Sequence, residues 1–291
     1  MLLALNFFCW REVFVLNVTR ELRVDFLDVG QGDSAFVETP EGYQILIDGG
    51  PNSVVLEKLA ERMPFWDKTI DLVILTHPEK DHMTGLLDVL EKYKVDYFLW
   101  NGIVKNDAEN KKLAILLEKA QKPANNFLLA AINQNTPTKV ITANAGQEIK
   151  AGKTLIDILF PFENLAGKET KNSSNDTCVV SKVIFGNNSF LFTGDIDSVA
   201  EKQLANSYEL VGLKSDVLKV AHHGSKYSTS DLFLENVKPK IAIIEVGKNS
   251  YGHPTPETLQ RLADFGIKTL RTDQNGDITI LSNGNNLKIS N

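Results

Sequence analysis

All five histidines of this 291-residue chain are concentrated in three short segments. The segments comprise residues 75–82, 220–225 and 251–254. The first two begin at the carboxyl end of an apolar stretch typical of a buried strand, where side chains of open α/β sheets converge on ligands. A lone histidine is usually a structural residue, but this concentration favours a binding site.

The first segment contains two imidazoles and two carboxylates within six residues: His77, Glu79, Asp81 and His82. Nitrogen and oxygen donors in this mixture suit a divalent cation, and alternate side chains of a loop can reach two ions. The alternative is a charged, solvated turn in which Asp81 caps the following helix. A cap does not require two flanking histidines, so the segment predicts a metal site.

The spacing His77-x-Glu79-x-Asp81-His82 resembles the HxHxDH motif of the metallo-β-lactamase superfamily, with Glu79 in place of its second histidine. Further positions match other motifs of that family in chain order: Asp48, Asp195 and His222. Within the superfamily, segments 26–34, 219–225 and 251–254 are similar to the C-terminal domain of the DNA-uptake protein ComEC. Ordered motifs are far more specific than one short match.

The resemblance implies a dinuclear centre that binds two divalent ions, zinc or manganese. Its ligands would be His77, Glu79, Asp81, His82, Asp195 and His222, with Asp195 bridging the ions. A metal-bound hydroxide would attack a phosphodiester, because bound divalent ions lower the pKa of water. Asp81 would orient that hydroxide or take its proton. His253 is expected to be a catalytic hydrogen-bond donor or a late metal ligand.

The chain also departs from the family pattern. Of the three histidines usual in the first metal site only His77 is present, and Asn175 and Asp176 stand where the third-motif histidine would fall. An oxygen-richer site suits manganese, magnesium or weakly held zinc. Four residues are therefore expected to be supporting residues or additional ligands: Asp48, Asn175, Asp176 and His223.

Two loops are candidate substrate contacts. Gly32 and Asp33 lie in a turn whose backbone N–H groups could bind an anion, although a hairpin turn also needs glycine for its positive φ. Ser225 and Lys226 place a hydroxyl and an ammonium next to His222. The alternative for this second loop is a polar connection to a helix capped by Ser230, with Lys226 simply solvated.

The fold predicted from periodicity and from the resemblance is an α/β sandwich of the αββα type, with two mixed sheets flanked by helices. The first strands form an antiparallel meander. We predict strands at 23–27, 34–38, 44–47, 71–75, 155–159, 178–185, 189–192, 217–220, 241–246, 268–270, 277–281 and 287–289, and helices at 54–63, 83–93 and 255–265. The helical pattern at 107–134 is expected to be an insertion that covers the site.

Residues 1–22 are strongly apolar and precede a hydrolase domain predicted for residues 23–291. Neither apolar run in this segment reaches the roughly 20 residues that span a bilayer, and no signal-peptide pattern is present. We interpret it as a packed segment, the alternative being a membrane stub. The chain would then be soluble and cytoplasmic in the first case, or associated with the cell envelope in the second.

Composition limits the remaining choices. The formal net charge is −6, so binding of nucleic acid would depend on a local basic groove. The two cysteines, Cys9 and Cys178, lack CxxC spacing and indicate neither a disulfide framework nor a thiolate zinc site.

The resemblance implies a nuclease that acts on DNA during uptake, in association with a membrane uptake machinery. Alternatives are a hydrolase of small phosphodiesters or esters, and a non-catalytic nucleic-acid-binding module. The oligomeric state stays open.

Overall fold

The computed structural model describes residues 21–122, 136–168, 174–208 and 212–290. The predictions for residues 1–20, and for the last part of the helical pattern at 107–134, lie outside the described residues.

The strands of the described residues are, in chain order, β1 (Leu22–Phe26), β2 (Ala35–Glu38), β3 (Gln44–Ile47), β4 (Thr69–Leu75), β5 (Lys94–Trp100), β6 (Lys139–Thr142), β7 (Glu148–Ala151), β8 (Thr154–Phe160), β9 (Val180–Phe185), β10 (Asn188–Phe192), β11 (Val217–Lys219), β12 (Ile241–Ile244), β13 (Lys268–Arg271), β14 (Ile278–Ser282) and β15 (Leu287–Ser290). The helices are α1 (Val54–Arg62), α2 (Lys80–Lys92), α3 (Ala108–Ala120), α4 (Ser198–Ser207), α5 (Asp231–Val237), α6 (Pro256–Asp264) and α7 (Thr272–Asn275). Single helical turns occupy Ser174–Thr177 and Ala221–Gly224.

These strands form two mixed sheets. One has the order β15-β14-β1-β2-β3-β4-β5-β6, and the other has the order β13-β12-β11-β10-β9-β8-β7. The opening strands β1 to β3 pair antiparallel, which confirms the predicted meander. β3 to β6 then pair in parallel, as do β10 to β13.

Three apolar layers of described residues hold the two sheets and the helices together. Between the sheets, inward-facing side chains form one core, in which the rings of Phe26 and Phe192 stack 5.7 Å apart. A second core lies beneath α1, α2 and α3, and a third beneath α4, α5 and α6. Since strand side chains alternate between faces, each sheet supplies both the central core and an outer one. The predicted αββα sandwich is confirmed.

Some elements were not predicted from the sequence. β5 follows α2 after the single residue Tyr93, so no glycine or proline separates helix from strand. β6, β7 and α4 were also missed. The N-cap Asp197, which accepts the N–H groups of Val199 and Ala200, is a signal that could have located α4.

The expectation that residues 107–134 form an insertion covering the site is wrong for the described part. α3 is the crossover between the parallel strands β5 and β6, and Leu113 and Leu117 pack it into the outer core. Parallel neighbours require such a connection. The first turn of α3 lies beside residues 77–82, where the Asn110 amide donates to the carbonyl of Pro78 at 3.3 Å.

Candidate metal centre

One edge of the sandwich receives the carboxyl ends of parallel strands from both sheets. The residues that follow these strands are Asp48 after β3, His77 and His82 after β4, Asp195 after β10, His222 and His223 after β11, and Glu245 after β12. Residues far apart in the chain thus reach one site, as is usual where parallel strands end.

Four buried residues at this edge place donor atoms within 4.8 Å of one another: Asp33, His82, Asp195 and His223. Asp195 lies between the two imidazoles. Its Oδ1 is 3.3 Å from His82 Nε2, and its Oδ2 is 3.6 Å from His223 Nε2. Two imidazole nitrogens and two carboxylates form a donor set suited to a divalent transition metal.

Unpartnered buried atoms support this assignment. Among the described residues, His77 Nε2, His82 Nε2 and Asp195 Oδ1 are buried and form no hydrogen bond of good geometry, although His82 Nε2 and Asp195 Oδ1 are in ionic contact with each other. The rings of His77 and His82 lie 4.2 Å apart. Burying a polar atom without a partner is costly, so a bound cation would satisfy these atoms. The residues present therefore fit a metal.

Asp48 orients the histidine of α2. Its Oδ2 lies 2.8 Å from His82 Nδ1 and accepts the Thr76 hydroxyl at 2.7 Å, while its Oδ1 accepts the Thr76 N–H at 2.7 Å. Asp48 has a positive φ of 58°, which is uncommon for a residue with a Cβ. A carboxylate on one ring nitrogen leaves the other free for a metal.

Charge is balanced within the cluster by its histidines. Burial alone would lower the pKa of His223, but the carboxylates of Asp195 and Asp33 raise it to about 10. The pKa of His82 is likewise raised against the effect of burial, by Asp195, Asp33 and Asp48. Burial would raise the pKa of Asp195, but the charges of His223 and His82 hold it well below its usual value. Protons on His82 and His223 thus supply the positive charge that the carboxylates of the cluster require, and a bound cation would supply it in their place.

A buried lysine adds a permanent positive charge. The Lys219 ammonium contacts the Asp33 carboxylate, donates to the carbonyl of Gly194 at 3.1 Å and lies 3.8 Å from Asp195 Oδ1. Burial would lower the pKa of Lys219, but Asp33 and Asp195 raise it above its usual value. Lys219 thus stays charged inside the centre.

The glycine-rich turn before β2 belongs to the interior of the site. Asp33 is 3% exposed and lies in the four-residue cluster, and its N–H donates to the carbonyl of Asp81 at 3.2 Å. A Cβ on Gly32 would overlap that same carbonyl oxygen. Glycine at position 32 therefore permits the close approach that seats Asp33 beside α2.

Residues 77–82, which contain the predicted metal motif, are partly helical. α2 begins at Lys80 rather than at the predicted Met83, so Asp81 lies in its first turn, where the helix dipole favours a carboxylate. Asp81 Oδ2 is 3.3 Å from His223 Nε2. Burial opposes ionisation of Asp81, but the His223 hydrogen bond and the charge of His82 lower its pKa well below the usual value. Glu79 is the N-cap residue; it forms an ion pair with Lys105 and lies outside the four-residue cluster.

The other histidines lie at the open side of the centre. His222 Nε2 is 3.8 Å from Asp195 Oδ2, and the Asn175 amide lies 3.3 Å from His222 Nδ1. The His253 ring is 5.4 Å from the His222 ring. Asp176 instead interacts with Asp197, and burial together with that neighbour raises its pKa. Of the two residues at the third-motif position, Asn175 is thus the one beside a candidate ligand.

His222 and His223 both adopt the left-handed conformation, with φ values of 51°. Such a conformation is costly for residues with a Cβ and is often found at functional sites. The turn directs two adjacent imidazoles toward the same aspartate.

The remaining two predicted substrate contacts, Ser225 and Lys226, lie in the loop after these histidines and differ in exposure. Ser225 is buried, and its hydroxyl accepts the N–H of Tyr227 at 3.3 Å. Lys226 is exposed, and its Nζ lies 5.2 Å from the centre of the Tyr227 ring.

Four supporting residues were not identified from the sequence: Thr76, Cys178, Lys219 and Glu245. Cys178 Sγ accepts the N–H of Asp195 at 3.4 Å, and the Glu245 carbonyl lies 2.8 Å from His223 Nδ1. Charged residues in apolar strand segments were the available signal for two of them, in Val217-Leu218-Lys219-Val220 and Ile243-Ile244-Glu245-Val246.

Glu201 fixes the far end of the 225–230 loop and should make stability depend on pH. Its buried carboxylate accepts the N–H groups of Thr229 and Ser230. Burial raises the pKa of Glu201 from 4.5 to about 7. Stability from the neutral acid is then complete below pH 4.5 and lost as pH rises to about 7. The contribution of Glu201 to the free energy of unfolding of the metal-free protein should fall by about 3 kcal/mol over that range, measured by urea unfolding as the difference between wild type and Glu201→Gln.

Glu201→Gln should remove the part of the pH dependence that is due to Glu201, whether the variant is more or less stable than wild type. The exposed Glu235→Gln on α5 is the matched control and should retain it. Other titrating groups, including Glu245, are common to all three proteins and cancel in the comparison. Equal pH profiles for wild type and Glu201→Gln would contradict the prediction.

No helix in the described parts of the chain has both the length and the apolarity needed to cross a membrane.

Comparison with known sequences shows relatives among competence proteins. The chain is 33% identical to ComE operon protein 3 of Bacillus subtilis, over 93% of this chain and 35% of that protein. It is 28% identical to recombination protein 2 of Haemophilus influenzae, over 89% of this chain and 28% of that protein. The chain thus spans about a third or less of the length of these relatives.

Solved structures show the same fold at low sequence identity. The metallo-beta-lactamase fold protein YhfI from Bacillus subtilis has a TM-score of 0.56 at 14% identity, covering 90% of this chain and 100% of that chain. Igni18, a metallo hydrolase from Ignicoccus hospitalis, has a TM-score of 0.54 at 17% identity, covering 88% of this chain and 98% of that chain. The beta-lactamase superfamily domain model matches residues 43–213. Because this match covers more than half of the chain, and because the chain has the metallo-β-lactamase fold, the chain belongs to the beta-lactamase superfamily.

Proposed function

We propose that this protein is a metal-dependent phosphodiesterase that cleaves DNA. The observation that carries the proposal is the position of Asp195 between the imidazoles of His82 and His223, with buried donor atoms unpartnered among the described residues. Such a centre suits hydrolysis assisted by metal ions. DNA as the substrate is supported by the relatives, which include a ComE operon protein and a competence protein.

Two divalent ions, zinc or manganese, are proposed as cofactors. Candidate ligands are His77, Glu79, Asp81, His82, Asp195 and His222 from the sequence, joined by His223 and Asp33 on the basis of geometry. When bound, such ions polarise a phosphoryl oxygen and lower the pKa of water.

We assign a separate role in substrate binding or catalysis to each of three side chains at the open side of the centre. Asp81 is about one-third exposed and ionised, so it can orient a nucleophilic water by accepting a hydrogen bond from it. His253 lies beside His222, where it can donate a hydrogen bond to a phosphate oxygen. The exposed ammonium of Lys226 can bind the next phosphate of a strand.

The relatives also support a place in DNA uptake, alongside a membrane machinery. Since the chain matches only about a third of ComE operon protein 3, partners of that longer protein come to this chain only as a proposal.

The decisive experiment is cleavage of labelled single- and double-stranded DNA by the purified chain, with manganese or zinc and with a chelator as the metal-free control. We expect cleavage that requires metal and that Asp81→Ala reduces at least about 100-fold, because the variant loses a candidate ligand and the group that orients the water. Asp88→Ala, two turns further along α2, is the matched control and should remain active.

Hydrolysis of a small phosphodiester without cleavage of DNA would identify a small-molecule hydrolase instead. Binding of DNA without hydrolysis of any phosphodiester would identify a non-catalytic binding module. Either result would refute the nuclease proposal.

A further inference from the structure

Two exposed tyrosines lie on the loops that hold the outer histidines of the centre. Tyr251 is 73% exposed and lies two residues before His253, and Tyr227 is 68% exposed and lies five residues after His222. Large aromatic side chains left in solvent beside a site are candidates for ligand contacts.

A continuous series of rings connects Tyr251 to the metal cluster. The Tyr251 and His253 rings are 5.9 Å apart with planes inclined by only 31°. His253 then meets the His222 ring edge-on at 5.4 Å, and His222 Nε2 lies 3.8 Å from Asp195 Oδ2. A planar group resting on Tyr251 would therefore lie two histidine rings away from Asp195, about one nucleotide from the centre.

The two loops form one rigid support. The N–H of Thr255 donates to the carbonyl of Gly224 at 2.9 Å, and the Thr258 hydroxyl donates to the carbonyl of Ser225 at 2.9 Å. A Cβ on Gly224 would approach Pro254 to 2.6 Å. The side chain of Asn249 further holds the Tyr251 loop, accepting the N–H groups of Tyr251 and His253. Little ordering is thus required when a ligand binds.

Each tyrosine has a cation close by in the sequence. Lys226 directly precedes Tyr227, with its Nζ 5.2 Å from the ring centre, and the exposed Lys248 precedes Tyr251 by three residues. The net charge of the chain is −6, so these local ammonium groups are needed to hold a polyanion. Aromatic rings interleaved with cations are typical of surfaces that bind single-stranded nucleic acid.

We propose that Tyr251 and Tyr227 form a base-stacking ledge that makes the centre selective for single-stranded nucleic acid. This inference rests on the proposed function and adds the strand form and the residues that select it. A base of a single strand can stack on Tyr251 while the adjoining phosphodiester reaches the centre. Bases in a duplex are already stacked on one another and cannot use the ledge.

The test compares the cleavage of a short oligothymidylate, an abasic strand of equal length and a duplex. Tyr251→Leu should raise the KM for oligothymidylate roughly tenfold, the loss expected for one stacked base, and leave kcat unchanged. Cleavage of the abasic strand should not change. Tyr251→Phe retains the ring and should behave like wild type, and Tyr227→Leu should act in the same direction as Tyr251→Leu.

Tyr97→Leu, which removes a 41% exposed tyrosine on β5, is the matched control. If Tyr251→Leu and Tyr227→Leu both leave the preference for oligothymidylate over the abasic strand intact, the ledge is refuted while the nuclease proposal stands. If wild type cuts neither strand, the proposed function fails. Fluorescence anisotropy of labelled oligothymidylate then still tests the ledge, which predicts weaker binding to Tyr251→Leu than to Tyr251→Phe.

Discussion

Asp195→Asn should reduce metal affinity at least about 100-fold and phosphodiester hydrolysis at least about 1000-fold, equivalent to about 4 kcal/mol of transition-state stabilisation. The reason is geometric, since Asp195 presents one carboxylate oxygen toward His82 and the other toward His223. Asparagine has nearly the same shape but offers one neutral oxygen, so the change removes charge with little loss of packing. Calorimetric titration with manganese or zinc measures the affinity, and initial rates measure the activity.

Asp264→Asn at the exposed end of α6 is the matched control, and it should retain both affinity and rate. Unfolding curves of the two metal-free variants show whether the folded state is retained. Should Asp195→Asn bind metal as tightly as wild type, the centre would have to be built without Asp195.

Lys219→Met should destabilise the metal-free protein by about 3–5 kcal/mol, the usual consequence of removing one partner from a buried ion pair. Lys219 is 2% exposed and contacts Asp33, so its loss leaves a buried carboxylate without its nearest counter-charge. Bound metal supplies positive charge to the same carboxylates and should recover part of this loss. Urea unfolding with a chelator, and again with manganese, measures both effects.

Lys240→Met is the matched control. The Lys240 side chain is 76% exposed, and its Nζ lies 2.8 Å from Asp216, so its removal should cost less than about 1 kcal/mol. An equally small loss for Lys219→Met would show that the Asp33–Lys219 contact contributes little to the stability of the folded state.

Local pattern alone predicted most of the strands that carry the site. The apolar run ending at Thr76 became β4, and the run ending at Val220 became β11, because short apolar stretches bounded by polar residues have few other ways to bury their side chains. The helix capped by Ser230 also formed as its sequence indicates, with the Ser230 hydroxyl accepting the N–H of Phe233 at 3.4 Å. β5 was not predicted, because its polar residues interrupt the apolar pattern of a buried strand and because it follows α2 after a single residue.

The sequence by itself determined which residues are available for chemistry, since the five histidines and the nearby aspartates stand out by type and spacing. Which of them come together was decided by the tertiary structure. Asp33 and Lys219 are 186 positions apart, yet they are in contact because the start of β2 and the end of β11 lie at the same edge of the two packed sheets. Spacing along a chain cannot report such a contact, because sheet order and sheet packing set the distance between strand ends.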